Sequence, residues 1–593
     1  MSATATRPAG PLSLPSHDAY LEGLTPVLTA TDVSIDYLVD PPVHAVKNVS
    51  LTLHRGEILG LAGESGCGKS TLAYGLNRLL KPPADLASGA VTFHDESGTD
   101  IDVLGLSGER LRVFRWDKIS MVFQGAMNSL NPVISVKRQL FDVFRTHRPD
   151  MPRKQMLAEA QELLRMVGVD PNRLDSFAHE LSGGMRQRVM IAMALALRPQ
   201  VMIMDEPTTA LDVVVQRGIL REIMRLREQF GFAVVFITHD LPLLLEISDR
   251  IAVMLQGEIV ELNTAADLYE RPQHEYTRRL LASFPSLTGD RGSFIRTGET
   301  GGWPDMTDTD QRARRTGSLE VKDLVKDFRV RSGMRSSKFR AVDHVSFTLE
   351  PGKTVALVGE SGSGKSTVAR MIAKLEKPTS GEILLDGEPS ASRGVALMRY
   401  RNDVQMVFQD PFASLNPFHT VGHHLERPIK IHHRASGREG VEAEIERLLE
   451  KVNLNPPREM ADRRPHELSG GQRQRVASAR ALAPGARFLI ADEPVSMLDV
   501  SIRLGMLNMF ARLQREENLG VLYITHDLAT ARHFSDEILV MYRGQVVERG
   551  PSDRVILDPQ HEYTKTLLAA APNPENHGRL REEVRAELAR ENA

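Results

Sequence analysis

The chain has 593 residues, 41% apolar and 25% charged, with a formal net charge of −3. This length exceeds what one core holds, and the near-neutral balance gives no clustered basic footprint for nucleic acid. The single cysteine, Cys67, excludes an intrachain disulfide and any metal or cluster site built on several thiolates. No run of 18 uninterrupted apolar residues exists; the nearest candidate, 189–207, is broken by Arg198 and Pro199 and reads as a buried helix followed by a buried strand.

In chain order, the first stretch lacks the apolar centre of a secretory signal, so residues 1–26 are expected as a disordered lead-in. A first domain is expected over 27–287. It opens with the apolar strand EILGLAG, the stretch GESGCGKST (63–71) and a helix, which together satisfy G-x-x-x-x-G-K-[ST] in its strand–loop–helix context. Gly63, Ser65, Gly66, Gly68, Lys69, Ser70 and Thr71 are the candidate phosphate cradle. Glycines let successive N–H groups converge on phosphate oxygens, Lys69 is placed for the β- and γ-phosphates, and Ser70 for Mg²⁺. Next come Phe123-Gln124, a helix over 153–167 and LSGGMRQR (181–188). The apolar strand of VMIMDEP ends in Asp205, expected to hold magnesium through water, and Glu206, expected to polarise an attacking water. AVVFITH (233–239) reads as a buried strand, RIAVMLQGEIVEL (250–262) as a hairpin turning at Gly257, and HEYT (274–277) closes the domain.

A linker rich in Gly, Asp, Thr and Arg is expected over 288–317, after which every one of these signals returns. GESGSGKST supplies Gly359, Ser361, Gly362, Gly364, Lys365, Ser366 and Thr367. Phe408-Gln409, a helix over 441–452, LSGGQRQR (468–475), FLIADEP with Asp492 and Glu493, GVLYITH (520–526), a hairpin at Gly544 and HEYT (561–564) follow. The chain is therefore a tandem duplication of one α/β domain of about 250 residues, not a short solenoid repeat. The second copy is expected over 318–572, followed by a charged C-terminal tail at 573–593. The first copy alone carries an insertion around FHDESGTDIDVLGLSGER (93–110).

The phosphate loop, the Gln after VF, LSGG opening a helix, DEP, LD and TH together resemble the nucleotide-binding domains of ATP-binding cassette (ABC) proteins, over both halves almost end to end. The resemblance implies an α/β fold of two tandem P-loop domains, each with a RecA-like core, an antiparallel β subdomain and a helical signature subdomain. It implies ATP and Mg²⁺ as cofactors and assigns roles by position. Gln124 and Gln409 match the Q-loop residue that senses the metal; His239 and His526 match the switch histidine at the γ-phosphate. Asp212 and Asp499 match the D-loop aspartate. Ser182, Gly184, Ser469 and Gly471 match the signature residues, with Met185 replacing the usual Gln that follows. Tyr37 matches the aromatic that stacks on adenine, and Phe328 is its candidate counterpart. In the family, the signature of one domain closes over ATP held by the other, because a second helix N-terminus completes the cage around the γ-phosphate. Ser469 and Gly471 are thus expected to close the 63–71 loop, and Ser182 and Gly184 the 359–367 loop. Both sites retain their Lys, Glu, His and LSGG and are expected to be competent.

QGAMNSLNPV (124–133), PTTALDVVVQ (207–216), QDPFASLNPF (409–418) and the closing HEYT resemble the ATPases of oligopeptide, dipeptide and nickel importers, here as a fused pair. This implies a peripheral subunit on the cytoplasmic face of the cell membrane, touching the membrane only through two transmembrane permease subunits and served by an extracytoplasmic solute-binding protein. No nucleic-acid partner is expected. A peptide-class solute is favoured over an oligosaccharide, to which SFPSLTGDR (283–291) is closer. Soluble ABC proteins of translation are a remote alternative, since they carry a long charged helical linker. Cys67, opposite Ser363 of the second loop, is expected to let a thiol reagent block the first site by crowding Lys69.

Overall fold

The computed structural model describes residues 23–125, 129–208, 211–289, 317–332, 335–496 and 498–591. The expected linker and lead-in lie mostly outside these residues. The chain divides into two compact units: one holds residues through Leu211, Gly218–Leu281 and Pro572–Ala593, the other Asp212–Arg217 and Ala282–Ala571.

The first unit contains strands β1 (Pro26–Tyr37), β2 (Val43–His54), β3 (Ile58–Ala62), β4 (Ala84–His94), β5 (Asp100–Asp102), β6 (Ile119–Val122), β7 (Val201–Asp205), β8 (Ala233–Ile237), β9 (Arg250–Leu255) and β10 (Glu258–Thr264). They form two sheets. One is antiparallel, in the order β2-β1-β4-β5; the other has six strands, in the order β10-β9-β3-β8-β7-β6. In the six-stranded sheet β9, β3, β8, β7 and β6 run parallel, and β10 closes one edge antiparallel. Strands β3, β7 and β8 are buried on both faces, which is why they read as unbroken apolar runs without alternation.

The helix Lys69–Leu76 lies between the two sheets. Its Leu72, Ala73 and Leu76 share one core with Val27, Leu28, Val33, Ile35, Val91 and Phe93 of the antiparallel sheet and Leu59, Leu61, Ile203 and Val235 of the parallel one. Burying Leu72 and Leu76 contributes about 1.5–3 kcal/mol each. That anchorage fixes the start of the helix, and with it the loop that precedes it. Beside this core, the helices Val136–His147, Arg153–Met166 and Gly183–Leu195 pack on one another.

The second unit repeats the plan with β11 (Leu319–Ser332), β12 (Arg335–Leu349), β13 (Thr354–Val358), β14 (Ser380–Leu385), β15 (Glu388–Pro389), β16 (Val404–Val407), β17 (Phe488–Asp492), β18 (Gly520–Thr525), β19 (Glu537–Tyr542) and β20 (Gln545–Pro551). Its sheets are ordered β12-β11-β14-β15 and β16-β17-β18-β13-β19-β20. The expected hairpins form in both units with two-residue turns, Gln256-Gly257 and Arg543-Gly544. All four residues have positive φ, the conformation that matches strand twist. The insertion of the first copy lengthens another hairpin. Asp95–Thr99 connects β4 to β5 where Asp386-Gly387 alone connects β14 to β15.

In the expected charged tail, residues 573–591 pack against the first unit. They form the helix Arg579–Glu591, counted in the first unit, with Leu580 and Val584 buried. Gly578 N–H donates to Leu245 O (3.1 Å) and Asn573 N–H to Glu246 Oε1 (3.0 Å), both on the helix Leu241–Ile247. Arg581 pairs with the buried Asp249, and Arg585 with Glu228 (2.9 Å).

Candidate functional site

Each glycine-rich loop leaves the carboxyl end of a central parallel strand, β3 or β13, the edge at which α/β sheets hold ligands. Gly68 and Gly364 are the residues before the helices, with φ of 105° and 106°. A methyl group at either would also collide with a carbonyl, Ala45 O or Ala341 O, so only glycine fits. Lys69 and Lys365 begin the helices but fold back over their own loops. Lys69 Nζ donates to Gly63 O (2.8 Å) and Glu64 O (2.7 Å); Lys365 Nζ donates to Gly359 O (2.8 Å) and Glu360 O (2.6 Å). Both ammonium groups are nearly buried, and burial pulls Lys365 below its ordinary value although Glu493 and Asp492 oppose this.

The acidic pair lies beside the loop in both units. Ser70 Oγ donates to Asp205 Oδ1 and Ser366 Oγ to Asp492 Oδ1, each at 3.0 Å. Asp205 is 0% exposed, and its Oδ2 is buried without a hydrogen-bond partner. Burial, reinforced by neighbouring Glu206, pushes its carboxyl up to about 6 against the opposing Ser70 bond and Lys69 charge. Burial raises Asp492 as well. A hydroxyl oxygen and a lone buried carboxylate oxygen are the hard donors that Mg²⁺ takes when phosphate and water complete its shell. The residues present therefore fit the cation. Among the described residues, no group of three or more His, Cys, Asp or Glu could hold a metal by itself.

Glu206 and Glu493 occupy the left-handed backbone region, φ 46° and 45°, which a glutamate rarely adopts. Their N–H groups donate to Ile237 O and Ile524 O, each at 2.9 Å, which holds the turn. Backbone strain of this kind gathers at functional sites. Each carboxylate is gripped from two sides. Gln124 Nε2 donates to Glu206 Oε2 and Gln409 Nε2 to Glu493 Oε2, both at 2.9 Å. His239 Nδ1 lies 3.2 Å from Glu206 Oε1, and His526 Nδ1 3.4 Å from Glu493 Oε1. Burial alone would raise Glu493, yet the His526 bond and charge, with Lys365 and Gln409, bring it below the ordinary value. In the second copy this keeps a base ionised beside a metal-type oxygen pair, and the first copy repeats the hydrogen-bond geometry.

The other expected residues fall as follows. Ser182 and Ser469 are the N-caps of the helices Gly183–Leu195 and Gly470–Leu482, accepting from the N–H of Met185 and Gln472, each at 3.3 Å. In the second unit Gln472 Oε1 also accepts from Ser469 N–H (3.0 Å), completing a capping box that Met185 cannot make. Gly184 and Gly471 lie in the first turns of these helices, and a methyl on Gly471 would collide with Ile502. Asp212 Oδ1 accepts from Val215 N–H (2.9 Å), and Asp499 is the N-cap of the helix Val500–Glu516. Tyr37 Oη lies 3.1 Å from Thr71 Oγ1, which brings the ring to the phosphate loop. Tyr37 pairs with Val43 on the β1–β2 ladder, and Phe328 pairs with Phe339 at the same register of β11–β12. That register, not the sequence spacing, makes Phe328 the counterpart of Tyr37. Cys67 is buried, with Sγ 3.5 Å from Lys69 Nζ, so a thiol reagent must first open the loop.

HEYT stands out in the sequence as a repeat and as part of the importer resemblance, with no role for its tyrosine. In the structure, Glu64 N–H donates to Tyr276 Oη (3.1 Å) and Glu360 N–H to Tyr563 Oη (3.0 Å), so both tyrosines touch the loops. The repetition itself was the available signal.

A family model described as "ABC transporter" matches residues 46–209 and 342–496, and one described as "Oligopeptide/dipeptide transporter, C-terminal region" matches 260–304 and 547–593. The glutathione import ATP-binding protein GsiA of Salmonella paratyphi A is 43% identical over 552 residues, covering 90% of this chain and 88% of that protein. The GsiA of Escherichia coli O157:H7 is 43% identical over 562 residues, covering 92% and 89%. Among solved structures, the ATP-binding cassette MJ0796, a post-hydrolysis dimer bound to ADP and Pi, is 30% identical. It covers 40% of this chain and 98% of that chain, with a TM-score of 0.36.

Proposed function

Because this chain belongs to the ABC transporter family as a tandem ATP-hydrolysing subunit of the oligopeptide-importer type, we propose that it energises the uptake of small peptides of the glutathione class through two permease subunits. The observation that carries the hydrolytic part is the duplicated constellation: Ser and Asp oxygens beside the phosphate loop, and a Glu held between Gln and His. The substrate class rests on the GsiA relatives and on the two C-terminal regions of the oligopeptide/dipeptide type.

Ser70, Asp205 and Gln124, and in the second copy Ser366, Asp492 and Gln409, are the residues that would hold Mg²⁺. When bound, the cation neutralises charge on the β- and γ-phosphate oxygens. Lys69 and Lys365 leave their loop carbonyls for the phosphates, and the loop N–H groups orient the chain of phosphates. Glu206 and Glu493 accept the proton of the attacking water at a carboxylate oxygen. His239 and His526 hold that carboxylate and reach the γ-phosphate. Tyr37 and Phe328 offer a flat face to adenine. Ser182 with Gly184 and Ser469 with Gly471 present helix N-termini suited to an anionic phosphate. The subunit is peripheral, on the cytoplasmic face of the membrane, and answers to an extracytoplasmic solute-binding protein. No helix among the described residues is long and apolar enough to cross a membrane.

The test is reconstitution of the full chain with its co-purifying membrane subunits. Hydrolysis is then measured as dipeptides, a glutathione-type tripeptide or oligosaccharides are supplied on the binding protein. Peptide-stimulated turnover, lowered at least about 100-fold by Glu206→Gln or by Glu493→Gln, is expected. Stimulation by an oligosaccharide alone moves the substrate class. One Gln variant with unchanged turnover refutes two competent sites, and failure to recover any membrane subunit refutes the importer reading.

A further inference from the structure

The phosphate loops are held from a direction that the family motifs do not include. The peptide linking Gly63 to Glu64 is gripped at both ends: its carbonyl, Gly63 O, accepts from Lys69 Nζ at 2.8 Å, and its N–H donates to Tyr276 Oη at 3.1 Å. The Gly359–Glu360 peptide has the same two partners, Lys365 Nζ at 2.8 Å and Tyr563 Oη at 3.0 Å. Each tyrosine is itself aimed by a relay that recurs in both units. Glu261 on β10 accepts the N–H groups of Gln273 and His274, both at 2.9 Å, and His274 Nδ1 accepts Tyr276 N–H at 3.2 Å. Glu548 on β20 accepts Gln560 N–H (2.8 Å) and His561 N–H (3.1 Å), and His561 Nδ1 accepts Tyr563 N–H at 3.1 Å. Identical bonding in two separately folded copies marks a built device.

We propose that Tyr276 and Tyr563 are positioning residues for ATP binding: they orient the first peptide of each loop and, through its carbonyl, the lysine that must reach the phosphates. The physical route is short. A tyrosine oxygen accepting the N–H fixes the direction of the peptide's carbonyl, and with it the resting place of the ammonium beside the loop. It also fixes the plane of the peptide from which the following N–H groups turn toward a phosphate. The region after each hairpin, matched by the oligopeptide/dipeptide C-terminal model, thereby touches the phosphate loop through the tyrosine hydroxyl. Glu, His and Tyr at 261, 274 and 276 and again at 548, 561 and 563 are the parts.

This inference rests on the loops binding ATP, which wild-type hydrolysis tests by itself; the ratio of variant to wild type tests only the tyrosines. Tyr276→Phe, Tyr563→Phe and the double variant keep the ring and remove the acceptor. In the full chain, Mg·ATP hydrolysis and Mg·ADP titration are measured alongside the nucleotide-free unfolding midpoint. The expected result is a KM and a Kd raised about two- to tenfold, the reach of one neutral hydrogen bond. The expected kcat stays within about twofold, and the unfolding midpoint is unchanged. His274→Ala, which releases the tyrosine without removing it, is expected to raise KM in the same direction and to add little to Tyr276→Phe. A double Phe variant whose KM and Kd equal those of the wild type overturns the proposal, whatever its melting temperature.

Discussion

Replacing Asp205 by Asn should make the nucleotide-free first unit more stable while disabling it. Asp205 closes β7 with no exposure, gives one oxygen to Ser70 at 3.0 Å and leaves the other buried and unpartnered. Burial first, then Glu206, raises its carboxyl from the ordinary 3.8 to about 6. A shift of about two units corresponds to roughly 3 kcal/mol between protonation states. The sign follows from the raised value. This component of stability is fully present below pH 3.8 and is lost as pH rises through about 6, so at pH 7.5 the ionised group costs about 3 kcal/mol. Asn keeps an acceptor for Ser70 and removes the charge, but it buries an amide donor at a cost of about 1–2 kcal/mol. The net gain expected at pH 7.5 is therefore about 1–2 kcal/mol. Urea unfolding followed by hydrogen exchange at β7 and β8, in EDTA, measures it. The advantage should shrink or reverse at pH 5, and Mg·ATP should protect the wild type and not the variant. A variant less stable than the wild type at pH 7.5, or a difference that ignores pH, refutes the reasoning.

Two further outcomes follow from local geometry. Met185→Gln gives the first signature helix the reciprocal bond that Gln472 makes to Ser469, and should stabilise that helix start by about 0.5–1 kcal/mol, read as slower exchange of the N–H groups of residues 183–186; unchanged exchange would show the box does not form. Ending the chain after Ala571 removes Leu580 and Val584 from the first unit and leaves Asp249 without Arg581. That should weaken the helix Leu241–Ile247 by about 2–4 kcal/mol, seen as faster exchange there and earlier proteolysis, and an unaltered protection pattern would contradict the packing.

The sequence was most readable where backbone geometry restricts the residue choice. Gly68 and Gly364 are required by both φ and a facing carbonyl, and the buried strands β7 and β17 announce themselves because a parallel strand covered on both faces tolerates little but apolar side chains. Glu206 and Glu493 were legible as the second members of the Asp-Glu pairs but not as left-handed residues, since no residue type signals a strained glutamate. Phe328 needed the strand ladder, because ten residues separate it from its partner Phe339 where five separate Tyr37 from Val43, so counting along the chain from the phosphate loop misses the match. Tyr276 stayed unassigned because its partner, Glu64, is 212 positions away. Helix Arg579–Glu591 looked solvated because only two of its residues, Leu580 and Val584, do the burying, and its arginines find carboxylates that no local pattern reveals.

That helix also sets an order of events during synthesis. The first unit's own strands and phosphate loop have all been made once Leu281 is added, yet the segment that covers Leu245, Glu246 and Asp249 is translated about three hundred residues later. At ribosomal speeds of about 5–20 residues per second, the wait is roughly 15–60 s. Throughout that interval Asp249 lacks one of its two arginines, keeping only Arg227 at 3.5 Å. The nascent first unit is therefore born with an open flank, and its completion is timed by the emergence of the second.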